Sequence, residues 1–236
     1  MGLRRRHRHL IALTALAVLP ATAALAAPSN VDISRAIFAE VKPPVVGKQS
    51  HVVFTVDVNK DPNRGGRVLR SVVFRFARGF SVDRGAVPAR CSSAQARSFS
   101  CPSQSQIGSA SIVTAVRKAR RASGQVKLFL GTAQHATTGA VAADVRAAGH
   151  RRATTGRIVR IHDRVYAYEL RIDGLSSAHV ERIHAKIGSI RTSGDRRVSL
   201  IRNPGICPGG WHYGVAITYA DGTRHFGDGA TSCRVR

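Results

Sequence analysis

Aromatic residues are scarce in this chain: they make up 6% of its 236 residues, and Trp211 is the only tryptophan. Nucleic-acid platforms and sugar-binding clefts stack their ligands on aromatic rings, so this composition argues against both classes. Acidic residues are also few, 13 Asp and Glu against 37 Lys and Arg, and we expect most of them to pair with arginine. Four cysteines are too few for a disulfide-dense miniature scaffold. The hydrophobic fraction of 43% is nevertheless that of a globular protein.

Motifs that mark common enzymes are absent from the sequence. It contains no glycine-rich nucleotide loop, no Walker-type Gly-Lys-Ser/Thr, no Gly-x-Ser-x-Gly elbow and no His-Glu-x-x-His. The sequence therefore predicts a non-enzymatic protein with no catalytic residues and no cofactor. A hydrolase is the alternative, and it would need Asp144, Asp173 or Glu181 to converge in one cleft.

Metal-ligand residue types are scattered along the chain. His179 and His184 stand five residues apart on an expected strand, so they would point to opposite faces. Asp-Gly pairs at Asp221 and Asp228 lack the spacing of a calcium loop and are better explained as hairpin turns. The cysteines form no Cys-x-x-Cys pair, which argues against zinc. No metal site is predicted.

Residues 1–26 have the pattern of a secretory signal peptide. Arginines at positions 4–8 precede an apolar run over residues 10–19, and Ala24-Leu25-Ala26 supplies a small-x-small cleavage site. The run is shorter than the roughly 20 residues that a membrane helix needs. Cleavage after Ala26 would leave residues 27–236 with a net charge of +20, as an exported or envelope-associated protein. A retained N-terminal anchor is the alternative, and no later run is long enough for a transmembrane segment.

An even number of cysteines in an exported chain indicates disulfides. Three pairings are possible for Cys91, Cys101, Cys207 and Cys233. The local pairing, Cys91 with Cys101 and Cys207 with Cys233, follows their two clusters in the chain and is the one predicted.

Apolar residues alternate with polar ones through most of the chain after residue 50. This two-residue period is typical of antiparallel sheets with one buried face, so the sequence predicts an all-β protein, an antiparallel β-sandwich. His162-Asp163-Arg164 is expected to be a hairpin turn. The predicted core includes Phe54, Phe74, Phe76, Leu128, Tyr168, Leu170 and Ile217.

No linker divides residues 27–236, so they are expected to form one domain; two smaller sandwiches split near residue 120 are the alternative. Loops are predicted over residues 61–66, 118–124, 149–156 and 192–196. Short helices are predicted over residues 93–97 and 141–147.

Two segments carry a resemblance to a protein family. The first runs from Arg78-Gly79-Phe80 through Pro88 and Cys91 to Cys101-Pro102 and Ile107-Gly108-Ser109, and the second includes Asn203-Pro204, Cys207 and Cys233. This layout resembles a family of secreted, disulfide-containing, β-rich proteins of high-GC actinobacteria. Ala77 stands where that family has proline. The resemblance implies export, disulfides and a β fold, and it implies no particular activity.

The surplus of positive charge, +24 in total, is the strongest functional signal. Two predicted loops concentrate it, and they supply the candidate anion-binding residues: Arg117, Lys118, Arg120, Arg121, Arg151 and Arg152. Such a field attracts polyanions through steering and counterion release. The plainer interpretation is that the arginines reflect codon composition and keep an exported domain soluble.

Two functions follow from these observations, besides the hydrolase. One is a non-enzymatic exported domain, extracellular or associated with the envelope. The other is a basic domain that binds anionic envelope polymer through its arginine loops. Specific nucleic-acid recognition is not expected.

Overall fold

A computed structural model of the chain describes residues 30–33, 36–58, 68–116, 120–132, 139–147, 149–175, 179–188 and 199–235. The strands are β1 (Asn30–Asp32), β2 (Ile37–Lys42), β3 (Gln49–Asp57), β4 (Leu69–Ala77), β5 (Ser81–Val82), β6 (Gln106–Val116), β7 (Arg120–Leu130), β8 (Gly139–Ala147), β9 (His150–Arg160), β10 (Tyr166–Asp173), β11 (His179–Ile187), β12 (Ile201–Arg202), β13 (Trp211–Tyr219) and β14 (Arg224–Thr231). A single α-helix in these ranges, α1, spans Ser93–Arg97. The all-β prediction is confirmed. The predicted signal peptide and the predicted loops 61–66 and 192–196 lie outside the described residues.

The strands form one continuous sheet in the order β1-β14-β13-β4-β10-β9-β8-β7-β6-β11-β3-β12-β5, and β2 pairs with β3. All neighbours are antiparallel except β1 and β14. Asp163 makes the predicted β9–β10 turn, because its Oδ1 accepts hydrogen bonds from the amides of Val165 and Tyr166. The pairing of β6 with β7 carries the sheet past residue 120.

The sheet curves until strands that are distant in its order face each other. Phe54 of β3 and Phe74 of β4 have ring centroids 4.8 Å apart, although six strands separate β3 from β4 along the sheet. Phe54 also meets Phe76 edge-on at 5.8 Å and Tyr213 at 6.2 Å. Strand β3 therefore lies in one layer, and β4 and β13 lie in the layer that faces it across the core.

The core lies between the facing layers, and the alternation of the sequence accounts for it. Burial alternates residue by residue along the nine residues of β3. Six of the seven predicted core residues are buried, and Tyr168 is half-buried against the same core. Buried residues before and after residue 120 belong to this one cluster.

Three local predictions were wrong. Residues 141–147 form strand β8 and not a helix, while the predicted loops 118–124 and 149–156 lie mostly within β7 and β9. The alanines of β8 look helical by composition, but they alternate between the core and the opposite face. On that opposite face Ala142 is buried beneath α1 and its flanking loops. The predicted helix over 93–97 is confirmed as α1, which begins with a capping box of Ser92 and Gln95.

Both predicted disulfides are present, Cys91–Cys101 and Cys207–Cys233. They indicate an oxidising environment. The two segments behind the family resemblance also meet: Gly79 has a φ of +89°, and a β-carbon there would come 2.8 Å from Cβ of Pro204. Gly79 is therefore required both for its backbone conformation and for this close approach.

Within the described ranges, no helix has the length and apolar character needed to cross a membrane.

Candidate anion-binding site

The structure places the six predicted anion-binding residues on strands or outside its described ranges. Arg117 and Lys118 lie outside the described residues, and only the backbone of Arg120 and Arg121 at the start of β7 is described. Arg151 and Arg152 begin strand β9, so the predicted loop around them was wrong. Of the six side chains, the structure therefore describes only those of Arg151 and Arg152.

Arg151 has a structural partner. Its Nε and Nη2 donate to the two carboxylate oxygens of Asp144 at 3.0 and 2.8 Å, and its guanidinium lies 4.2 Å from the centre of the Phe99 ring. These hydrogen bonds hold the pKa of Asp144 below its usual value, against the effect of burial. The charges of Arg151, Arg146 and Lys127 lower the pKa of Asp144 further. Arg151 thus attaches the loop that contains Phe99 to strand β8.

A different cationic site lies on the outer face of β7, β6 and β11. Ser109 of β6 is in register with Lys127 of β7 on one side and with Lys186 of β11 on the other. Adjacent strands lie about 4.8 Å apart, so the Cα atoms of the two lysines stand roughly 10 Å apart across a serine. Two long cationic side chains therefore flank a short hydroxyl side chain.

The next row of outward-facing residues, two positions along the strands, has the same arrangement with neutral polar groups in place of the lysines. Ser111 is in register with Gln125 of β7 and with His184 of β11. His184 Nδ1 lies 3.0 Å from Thr55 Oγ1 on β3, a hydrogen bond that orients the imidazole. The two rows stand roughly 7 Å apart, the repeat of two residues along a strand.

Together the two rows form an open trough of about 350 Å³ along β6. Its floor contains the small residues Ser109, Ala110 and Ser111, and Gln106 lines it at the lysine end. We call this groove the β6 trough. Its volume falls at the lower end of the range of small-molecule sites, roughly 300–1,000 Å³.

Positive charge dominates the β6 trough. Among the described residues, neither Lys127 nor Lys186 forms an ion pair. The nearest acid in register, Asp144 beside Lys127, is already paired with Arg151 and lies 3.8 Å from Arg146. The two lysines are thus available to an anion from solvent.

The Cys91–Cys101 loop borders the trough at its lysine end. Cys91 is buried with Phe129 of β7 and Ala142 of β8, two residues on the same outer face. Phe129 follows Lys127 at the next outward position of β7 and is in register with Gln106. The loop therefore packs on the sheet at Phe129 and Ala142, next to the lysine end of the trough.

The interior of the fold holds a second, apolar cavity of about 40 Å³ between the layers. Its lining is entirely apolar, including Phe74, Leu128 and Ile183. An engineered cavity that takes benzene measures about 150 Å³, so this space is small even for a ring.

The acids named for the hydrolase alternative belong to three different strands. Asp144, Asp173 and Glu181 belong to β8, β10 and β11, and no two of these strands are neighbours in the sheet. Asp221 lies in the predicted turn, where its Oδ1 accepts from the amide of Thr223. Asp228 lies within β14 and not in a turn, and its Oδ1 accepts from the Tyr166 hydroxyl. In the described part of the chain, no three His, Cys, Asp or Glu residues cluster in a way suited to a metal ion.

Sequence reasoning missed the trough because its walls come from strands that are distant in the chain. Lys127 and Lys186 are isolated in sequence, and His184 is one of several scattered histidines. The expected alternation in β11 is also interrupted, since an irregularity between Val180 and Arg182 leaves both Val180 and Ile183 buried. The prediction that His179 and His184 point to opposite faces of the sheet assumed an unbroken strand. The sequence pattern indicates that Lys127 and Ser109 face outward, but it does not indicate that β11 pairs with β6.

The chemistry available to this arrangement is binding. Two ammonium groups can neutralise an anion, and the hydroxyl, amide and imidazole groups can form hydrogen bonds with its neighbours. Comparisons with models of known protein families, with curated proteins and with solved structures find no match to this chain. A proposal for the function of this chain therefore starts from the side chains of the trough.

Proposed function

We propose that this chain is an exported, non-catalytic binding domain, extracellular or associated with the cell envelope, that holds an anionic polymer in the β6 trough. The observation that carries the proposal is the row Lys127–Ser109–Lys186, in which two lysines that form no ion pair in the described ranges flank a hydroxyl. This site replaces the predicted arginine loops as the centre of binding.

Export is supported by three independent features. Residues 1–26 have the composition of a signal peptide, both disulfides suit an oxidising compartment, and the chain resembles a secreted β-rich family. Outside a cell, the polyanions within reach include wall polymers and anionic lipid head groups. The net charge of +20 that remains after cleavage would draw the protein to such material, and the trough would give it a defined contact.

Binding to long-chain inorganic polyphosphate at several salt concentrations tests the proposal. We expect the wild type to bind at low salt and to weaken steeply as salt rises, because each neutralised phosphate releases counterions. The variant Lys127→Gln/Lys186→Gln removes two contacts, so its log–log salt slope should flatten by roughly 1.4, at about 0.7 per contact for a single-stranded polyanion. Its fold should persist, since exposed charges contribute little to stability.

A matched control separates the trough from the total charge. Arg157→Gln/Arg224→Gln removes the same charge from exposed positions on β9 and β14, neither of which lines the trough. We expect the control to keep most of the wild-type salt slope. Equal losses in the two double variants would show that net charge alone binds, and a wild type that does not bind polyphosphate at low salt would contradict the proposal outright.

A further inference from the structure

We infer that the β6 trough recognises a phosphorylated polyol, that is, a phosphate group carried next to carbon-bound hydroxyls. The inference rests on the proposed function and narrows its ligand class. It comes from the difference between the two rows of the trough: one row is cationic, and the adjacent row is neutral and hydrogen-bonding.

The cationic row suits a phosphate group. The chain contains only 6 lysines among its 37 basic residues, yet two of the six flank Ser109. Lysine presents a compact charge with three donors and is a frequent phosphate ligand, whereas the planar fork of arginine matches the oxygens of carboxylate and phosphate alike. A tetrahedral phosphate can offer separate oxygens to Lys127, Lys186 and the Ser109 hydroxyl at once.

The neutral row favours hydroxyl groups beside that phosphate. Gln125 and Ser111 each offer a donor and an acceptor, and neither makes a side-chain hydrogen bond within the described part of the chain. His184 is held by Thr55 through Nδ1, which leaves its other ring nitrogen for a ligand. Arg146 stands in register with Gln125 at the β8 end of this row but does not line the trough, so a uniformly charged polymer in the trough would place its next anionic group against amide, hydroxyl and imidazole groups. A polyol would place hydroxyls there instead.

The trough is large enough for a ligand that has a second chemical group beside its phosphate. A volume of about 350 Å³ exceeds the space that a single inorganic anion fills. The row spacing of roughly 7 Å fits a phosphate and the adjoining polyol carbons.

Three charge-matched probes test the inference: a ten-unit glycerol-phosphate oligomer, inorganic polyphosphate of ten phosphates, and a ten-unit galacturonate oligomer. We expect the wild type to bind the glycerol-phosphate oligomer at least tenfold more tightly than either other probe. The variant Ser111→Ala/Gln125→Ala/His184→Ala should lose this preference and keep its polyphosphate affinity within about twofold, because it retains both lysines. Gln125→Leu alone, which leaves the contact between His184 and Thr55 intact, should lose part of the preference at an unchanged melting temperature.

The outcomes separate the two claims. Equal affinity for glycerol-phosphate and polyphosphate would overturn the polyol assignment while the proposed function stands, and tighter binding of galacturonate would overturn the choice of phosphate. A preference that survives the triple variant would show that it arises outside the neutral row, which also overturns the inference. Failure of all three probes to bind the wild type would count against the proposed function itself.

Discussion

Asn203 shows how one buried side chain can join segments that are distant in the sequence. It is 2% exposed, and its Nδ2 donates to the carbonyls of Pro43 and Val45 at 2.9 and 2.7 Å. Its Oδ1 accepts from the hydroxyl of Ser50. In the sequence, the Asn-Pro pair indicates only a turn. In the structure, the Asn203 amide also fixes the connection between β2 and β3, two strands that lie about 150 residues earlier in the chain.

Replacing Asn203 by alanine should therefore destabilise the protein. The change removes three hydrogen bonds and leaves the buried Ser50 hydroxyl without its acceptor. We expect the free energy of unfolding to fall by about 2–4 kcal/mol, at roughly 0.5–1.5 kcal/mol for each hydrogen bond and roughly 1–3 kcal/mol for an unsatisfied buried group. Chemical denaturation of the oxidised protein measures this. Gln104→Ala, at an exposed position on the loop after Cys101, is the matched control and should change stability by less than about 0.5 kcal/mol. A loss for Asn203→Ala no larger than that of the control would refute the role.

At the scale of elements, the segment that carries α1 depends on one ion pair. This segment runs from Cys91 to Cys101, and the five-residue helix within it is too short to be stable alone. Its contacts with the sheet include the hydrogen bond from the Cys91 amide to the Leu130 carbonyl, and Arg151, which stacks on Phe99 and pairs with Asp144 of β8. The ion pair thus connects the outer loop to β8.

The lowered pKa of Asp144 predicts a pH dependence. A carboxyl whose pKa is lower in the folded state stabilises the fold above its unfolded pKa of about 3.9, and this stabilisation is lost as pH falls through the folded pKa. Asp144→Asn should therefore be less stable than the wild type near neutral pH. The difference in melting temperature should shrink below about pH 4 and vanish once Asp144 is protonated. A difference that stays constant from pH 7 to pH 2 would show that Asp144 acts through its shape and not its charge.

The elements that the sequence predicted best are those with one polar face in solvent. Alternation in β3 and β10 gave both the strand type and the buried side, because polar residues mark the exposed face. Strand β8 failed this test, since Ala140 and Ala142 on its outer face carry no polar signal and Ala142 is covered by the Cys91–Cys101 loop. The trough failed for a different reason: Lys186 reaches Ser109 only through the long-range pairing of β11 with β6, which periodicity does not encode.

For the whole molecule, the decisive contact is the meeting of the two layers at Phe54. Its ring is fully buried and touches Phe74, Phe76 and Tyr213, which belong to β4 and β13 on the facing side. The only tryptophan, Trp211, lies in that same facing layer, with its ring 5.5 Å from that of Phe80. Its fluorescence can therefore report on one layer, while far-ultraviolet circular dichroism reports on all strands.

Truncating Phe54 to alanine removes the ring that both layers share, and we expect the free energy of unfolding to fall by about 3–5 kcal/mol. Phe38→Ala is the control: Phe38 neighbours Thr55 on the adjacent strand but is 61% exposed, so its loss should cost less than about 0.5 kcal/mol. If the curved sheet unfolds as one cooperative unit, Trp211 fluorescence and circular dichroism should shift to the same denaturant midpoint in Phe54→Ala. A dichroism transition that moves while the Trp211 transition stays in place would show that the layers unfold separately. In that case the contact at Phe54 would not hold them together.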